Sequence, residues 1–310
     1  MRRDLWLNRI QELDPEIDFV AIYRISSQYE FPWDTNQALG LALYRTYAVP
    51  SIGGLLAQTA EFTLNPQKRY DDTVLILESV IEHGFDSQQG RQAVRRMNQM
   101  HRRYAIANED FVYVLATFVV VPKRWMDQYG WRTYSPHEIR ATVNYCRELG
   151  RRMGLRAIPK TYEEFEQLLD SYERTHFGFG QGGREVSDTT LDLMASWFPR
   201  PTRHAVRLSA LCLLDDPVRE TFGYPAPSPM VRWAVRTGMR LRARFIRLLP
   251  PRSKPRFARN GRQIRGYPNG FRIADLGTFE SDRATNCPAA PPIPVPACPR
   301  ASRPGPGSPQ

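Results

Sequence analysis

Residues 91–125 read RQAVRRMNQMHRRYAIANEDFVYVLATFVVVPKRW, and this stretch decides the fold class. In its first part Ala93, Val94, Met97, Met100, His101 and Tyr104 recur at the spacing of one helical face, so a helix is expected over 87–106. In its second part Phe111 to Val121 is an unbroken, mostly apolar run. It is shorter than the roughly 18 residues of a membrane-spanning helix and fits a buried core helix over 109–126. Asn108 is the expected N-cap, with Glu109 and Asp110 in the first turn where negative charge suits the helix dipole.

Outward from there the pattern stays helical. Apolar stripes place helices over 15–27, 35–48, 51–63 and 68–83, the last ending near Gly84. Ser135, Pro136 and Gly154 frame a helix over 136–153, and Thr161 caps one over 162–176. The glycine-rich stretch 178–183 reads as a loop, and it is no phosphate cradle because no strand precedes it. Helices follow at 187–198, 201–213 and 216–222. Pro225, Pro227 and Pro229 then lead into a basic helix over 229–248. No segment alternates as a strand would. The fold class is therefore all-α, a single large helical domain over 1–249. A basic extension follows over 250–280, and a Pro-rich tail over 281–310 whose composition predicts disorder.

The net charge of +11 is local. Met230 to Arg272 holds 13 Lys/Arg and no Asp/Glu, and taking these away leaves −2 for the remainder. With no zinc-finger spacing and no aromatic RNA motif, nucleic acid is not an expected partner. Cys146, Cys212, Cys287 and Cys298 form no metal spacing and read as reduced thiols, with a Cys287–Cys298 bridge as the alternative. The opening MRRDLWLNRIQELDPE lacks the apolar core of a signal peptide, so the expected location is cytoplasmic.

Three features could carry chemistry. His101 lies on an apolar helical face, where an imidazole serves either as an axial haem ligand or as a core histidine. Arg69, Asp72 and Thr73 lie one turn apart at most. They could hold a haem propionate or assist a proton transfer, or Arg69 and Asp72 could form an ordinary i, i+3 ion pair. Over 229–248, Trp233, Leu241, Phe245 and Leu248 alternate with arginines. That suits an anionic membrane surface, or a core helix with a solvated arginine side. The HExxH, GxSxG, Walker and dinucleotide motifs are absent, and a di-iron centre would need two Glu-x-x-His pairs that the chain does not contain.

The segments YEFPWD (29–34), LALYRTYAVPSI (41–52), KRYDDTVLILESVIEHGFDS (68–87) and RRMNQMHRRYAIANEDFVYVLATFVVVPKRWMDQYGWR (95–132) resemble the MpaB family of haem oxygenases. The resemblance spans about 14–250. More distantly the chain is similar to latex-clearing rubber oxygenases, which have a globin-like helical core and haem b and carry an Arg-x-x-Lys-Thr motif before the haem-ligating histidine. Here Arg69-x-x-Asp72-Thr73 precedes His101 at a similar interval, with aspartate in place of the lysine.

The resemblance thus implies haem b, with its iron held by His101. It places Arg69, Asp72 and Thr73 on the oxygen-binding side, with Arg69 also against the cofactor. Met97 and Tyr104, neighbours of His101 about one turn away on the same helical face, would then line the cofactor too. It implies cleavage of a C=C bond in an apolar, isoprenoid-like or other unsaturated small molecule by O2. A haem sensor or carrier, or a helical membrane-surface protein, are the alternative readings. Peripheral membrane contact would run through 229–248.

Overall fold

The computed structural model describes residues 3–261 and 263–277. The expected disordered tail over 281–310, with Cys287 and Cys298, lies outside them. Among the described residues there are fourteen α-helices and no strand, so the protein is all-α. In chain order they are α1 (Leu5–Gln11), α2 (Phe19–Ile25), α3 (Pro32–Thr46), α4 (Pro50–Gln58), α5 (Glu61–Leu64), α6 (Pro66–His83) and α7 (Gln88–His101). The second half holds α8 (Asn108–Tyr129), α9 (Pro136–Arg152), α10 (Tyr162–His176), α11 (Gln181–Ser196), α12 (Arg203–Leu213), α13 (Asp216–Thr221) and α14 (Pro229–Leu248).

The apolar run forms the middle of α8, which packs against α3, α9, α10 and α14. Val112, Tyr113, Leu115, Ala116, Val119 and Val120 are all buried there. Each large apolar side chain so buried contributes roughly 1.5–3 kcal/mol, which explains why this segment organises the fold. Beside it α6 and α7 pack as a pair and share the same core through Leu75, Ile76, Val80, Val94 and Met97. At the entry to α3 the YEFPWD segment has a structural role. Glu30 takes Arg132 and Arg3, Phe31 is fully buried, and Asp34 accepts from Trp125 Nε1 (3.1 Å) and Arg242 Nη1 (2.9 Å).

Several local signals act as the sequence indicates. Ser135 and Glu138 form a reciprocal capping box on α9, Thr161 caps α10, and Gly84 ends α6 at φ +74°. Others do not. Asn108 is the first residue of α8 and Ala107 occupies the cap position. The Asn108 amide is spent on Arg156, accepting from its N–H (2.9 Å) and donating to its carbonyl (3.1 Å). The helix expected over 87–106 stops at His101, because 102–107 must reverse the chain into α8. Tyr104 therefore sits in the connecting turn.

The stretch 178–183 is a loop only as far as Gly180; α11 begins at Gln181. A Cβ on Gly53 would come within 2.7 Å of Gly183 Cα, so glycines at this crossing let α4 and α11 approach closely.

Residues 250–277 belong to the same compact unit as the helices. Leu276 is fully buried, and its carbonyl accepts from Arg96 Nε at 2.6 Å. This C-terminal strap docks mainly on carboxylates of α6. Asp71 accepts from the Arg265 (3.0 Å) and Gly266 (2.6 Å) backbone N–H groups, and Glu78 from those of Ala258 and Arg259.

Candidate haem-ligand site between α6 and α7

α7 presents His101 from its last residue, one turn past Met97. The ring is part-buried, but its Nδ1 is sealed from solvent and has no hydrogen-bond partner among the described residues. The Phe111 ring, from the first turn of α8, meets it edge to face at 5.1 Å. Burial pushes the imidazole down to about 4, and the Arg69 guanidinium adds to the shift. The ring is therefore neutral at pH 7, the state in which a histidine binds metal.

An orphaned, buried ring nitrogen costs about 1–3 kcal/mol, so it needs a reason. An unmade bond to a ligand is one such reason, and haem iron fits the surroundings. Among the described residues no three His, Cys, Asp or Glu side chains converge on a common point. A single imidazole poorly serves a bare ion, but it is all that iron already held by four porphyrin nitrogens requires. Met97 is buried one turn earlier, and Tyr104 is half-buried in the turn after His101.

Arg69 comes from the first turns of α6. Its Nη1 donates to the Thr73 hydroxyl, which in turn donates to the Arg69 carbonyl at 3.0 Å. The guanidinium lies 5.2 Å from the Phe62 ring centre and bears electrostatically on both His101 and Tyr47. Burial pushes the Tyr47 phenol up to about 12, against the pull of Thr190 and Arg69. The structure thus brings Arg69, Thr73 and His101 into one neighbourhood and adds Tyr47, Phe62 and Phe111. Spacing could not have found these three, because they come from three other parts of the chain: the turn after α3, α5 and α8. Tyr47 does lie in the conspicuous segment LALYRTYAVPSI.

Asp72 goes elsewhere. It is buried, but it pairs with Lys68 (Nζ–Oδ2 3.0 Å) and not with Arg69. Its other oxygen accepts from the Tyr267 hydroxyl of the strap. Lys68 also donates to the Gly277 carbonyl at 2.7 Å. The i, i+3 spacing of Arg69 and Asp72 puts them about 60° apart around the helix. That is enough for one to face the α7 terminus and the other the strap. A separate cleft lined by Arg45, Arg124, Trp125, Tyr129 and Asp215 encloses about 60 Å³ and does not include His101. Its buried Arg45–Glu173 pair (2.6 Å) is satisfied within the fold.

Residues 36–248 match the catalytic domain of the family described as ER-bound oxygenase mpaB/B'/rubber oxygenase. The chain belongs to this family. It is 30% identical over 228 residues to the ER-bound oxygenase mpaB' of Penicillium brevicompactum, covering 67% of this chain and 53% of that protein. It is 29% identical over 241 residues to the mpaB of the same organism, covering 74% and 57% respectively. With the mpaB of Penicillium roqueforti (strain FM164) the identity is 33% over 223 residues, covering 66% of this chain and 74% of the relative. The chain spans a little over half the length of the two Penicillium brevicompactum proteins. The matched region contains all of α4 to α14, including every residue of the site.

Proposed function

We propose that this protein is a haem b-dependent oxygenase. It uses O2 to split a carbon–carbon double bond of an apolar, isoprenoid-like or other unsaturated small molecule into two carbonyl groups. The observation that carries the reading is the sealed, partnerless Nδ1 of His101 on a neutral imidazole. Membership of an oxygenase family supports it. When bound, the haem supplies the activation of dioxygen, which no side chain can provide.

The chain's own residues do the rest. His101 would hold the iron through a ring nitrogen, with Met97 and Tyr104 walling the macrocycle. Arg69 is a fixed cation whose donors can meet a haem carboxylate or the negative charge that develops on oxygen. Thr73 steadies Arg69. Asp72 supports the same helix through Lys68 and Tyr267, and so acts on the site at one remove. The apolar neighbours Phe62, Phe111 and Met97 keep water out and suit an apolar substrate.

The relatives are named as ER-bound. For this chain we extend membrane attachment to peripheral contact from the cytoplasm through α14. The decisive test of the haem reading is an absorption spectrum of the protein purified from haem-supplemented cells. The wild type should show a Soret band, and His101→Ala should lose it while keeping its helical circular dichroism. A His101→Ala protein that retains haem with an unchanged spectrum would sink the assignment.

A further inference from the structure

We propose that the outer face of α14 is a docking surface for an anionic phospholipid bilayer, with Trp233, Leu241, Phe245 and Leu248 entering the interface and Arg240, Arg244 and Arg247 meeting the headgroups. This deepens the membrane-contact reading and is independent of whether His101 holds haem.

The fold divides the six arginines of α14 into two sets. Arg232 is tied to Asp216 (2.7 Å), Arg236 to the Cys212 carbonyl (3.2 Å), and Arg242 to Asp34 (2.9 Å) and the Trp33 ring (3.7 Å). These three anchor the helix to the body. Arg240, Arg244 and Arg247 are exposed and form no ion pair among the described residues. Beside them large apolar side chains stand in water: Met230 is 76% exposed, Trp233 67%, Leu241 55%, Phe245 61% and Leu248 82%. Successive separations of 3, 8, 4 and 3 residues keep all five on one side of the helix. Ala243 is the buried residue of α14. A half-exposed amphipathic helix with Trp and Phe among arginines has the form of an interfacial helix, lying in the membrane plane. No helix of the described residues is long and apolar enough to cross a bilayer.

Charge selects the occupant. No Asp or Glu lies anywhere from Thr221 to Ala274, so the face offers no internal counter-charge. A second copy docked face to face would oppose three unpaired arginines with three more and is repelled. A bilayer bearing anionic lipid offers negative charge above an apolar layer, and so matches both parts of the face at once.

The test is co-sedimentation of the full chain with phosphatidylcholine vesicles and with vesicles containing about 30% phosphatidylserine, an anionic fraction like those that recruit polybasic segments. The wild type should partition onto the anionic vesicles only, and added salt should weaken it. Reversing Arg240, Arg244 and Arg247 to Glu should lower partitioning at least about 100-fold, from roughly fivefold for each arginine lost. Leu241→Glu with Phe245→Glu should lower it at least ~10-fold while leaving the helical spectrum and the melting temperature in place. Partitioning that survives both variants would overturn the α14 surface while leaving membrane contact elsewhere standing. No partitioning of the wild type overturns both. A concentration-dependent dimer that Leu241→Glu/Phe245→Glu abolishes would assign the face to a second copy and overturn the proposal too.

Discussion

α6 carries two polar stripes side by side, and they behave in opposite ways. Asp71, Glu78 and Glu82, with Asp72 beside them, face the C-terminal strap, where Asp71, Asp72 and Glu78 accept from Gly266, Tyr267 and Ala258 and Glu82 pairs with Arg259. Arg69 and Thr73 lie on the stripe that continues through Ile76 and Val80 into the core. They bond to each other and leave His101 Nδ1 without a partner among the described residues. Burial raises the carboxyls of Asp71 and Glu78 above their usual range even though backbone donors oppose it. A polar group satisfied on every side holds the structure; one left open beside a cation is available to a ligand.

The contrast can be broken or sharpened by measurement. The largest effect belongs to His101 in the haem-free protein. Its ring is held near 4 in the fold against an ordinary 6.5. Below pH 6.5 the unfolded chain takes up a proton that the fold refuses, so stability is lost as pH falls from 6.5 towards 4. The loss should reach about 3 kcal/mol. Urea midpoints of wild type and His101→Gln at pH 7 and pH 4 should differ by that amount in their pH dependence. Parallel curves would mean that the imidazole is not sealed.

Next comes Arg69. In the haem-loaded protein Arg69→Met should weaken azide binding about 10- to 100-fold, the worth of one hydrogen bond to a charged group. Unfolding midpoints should hardly move. An unchanged azide affinity would take Arg69 off the ligand side. The smallest effect is that of Asp72→Asn. Weakening the bonds to Lys68 and Tyr267 should cost about 1–2 kcal/mol in urea unfolding and leave azide affinity unaltered. If azide affinity changes and stability does not, the two stripes have been assigned the wrong way round.

Much of this is visible in the sequence where the cause is local. The Ser135 cap, the Thr161 cap, the Gly84 stop and the apolar run of α8 rest on neighbours within a turn or two, and each appears as read. Asn108 misleads because a residue 48 positions away takes its side chain. Gly183 misleads because glycine there serves a close helix crossing and not a loop. The docking of the basic extension cannot be read from the sequence, since its docking groups are backbone N–H donors that composition does not reveal.

By itself, then, the sequence determined an all-α chain with His101 on the apolar side of α7 and a basic amphipathic α14, because helical period and charge are properties of adjacent residues. Tertiary structure alone decided that Arg69 turns to His101 while Asp72 turns to the strap, that Tyr47, Phe62 and Phe111 join the site, and that half the arginines of α14 are tethers. These depend on which distant group satisfies each buried charge, and periodicity carries no information about that partner.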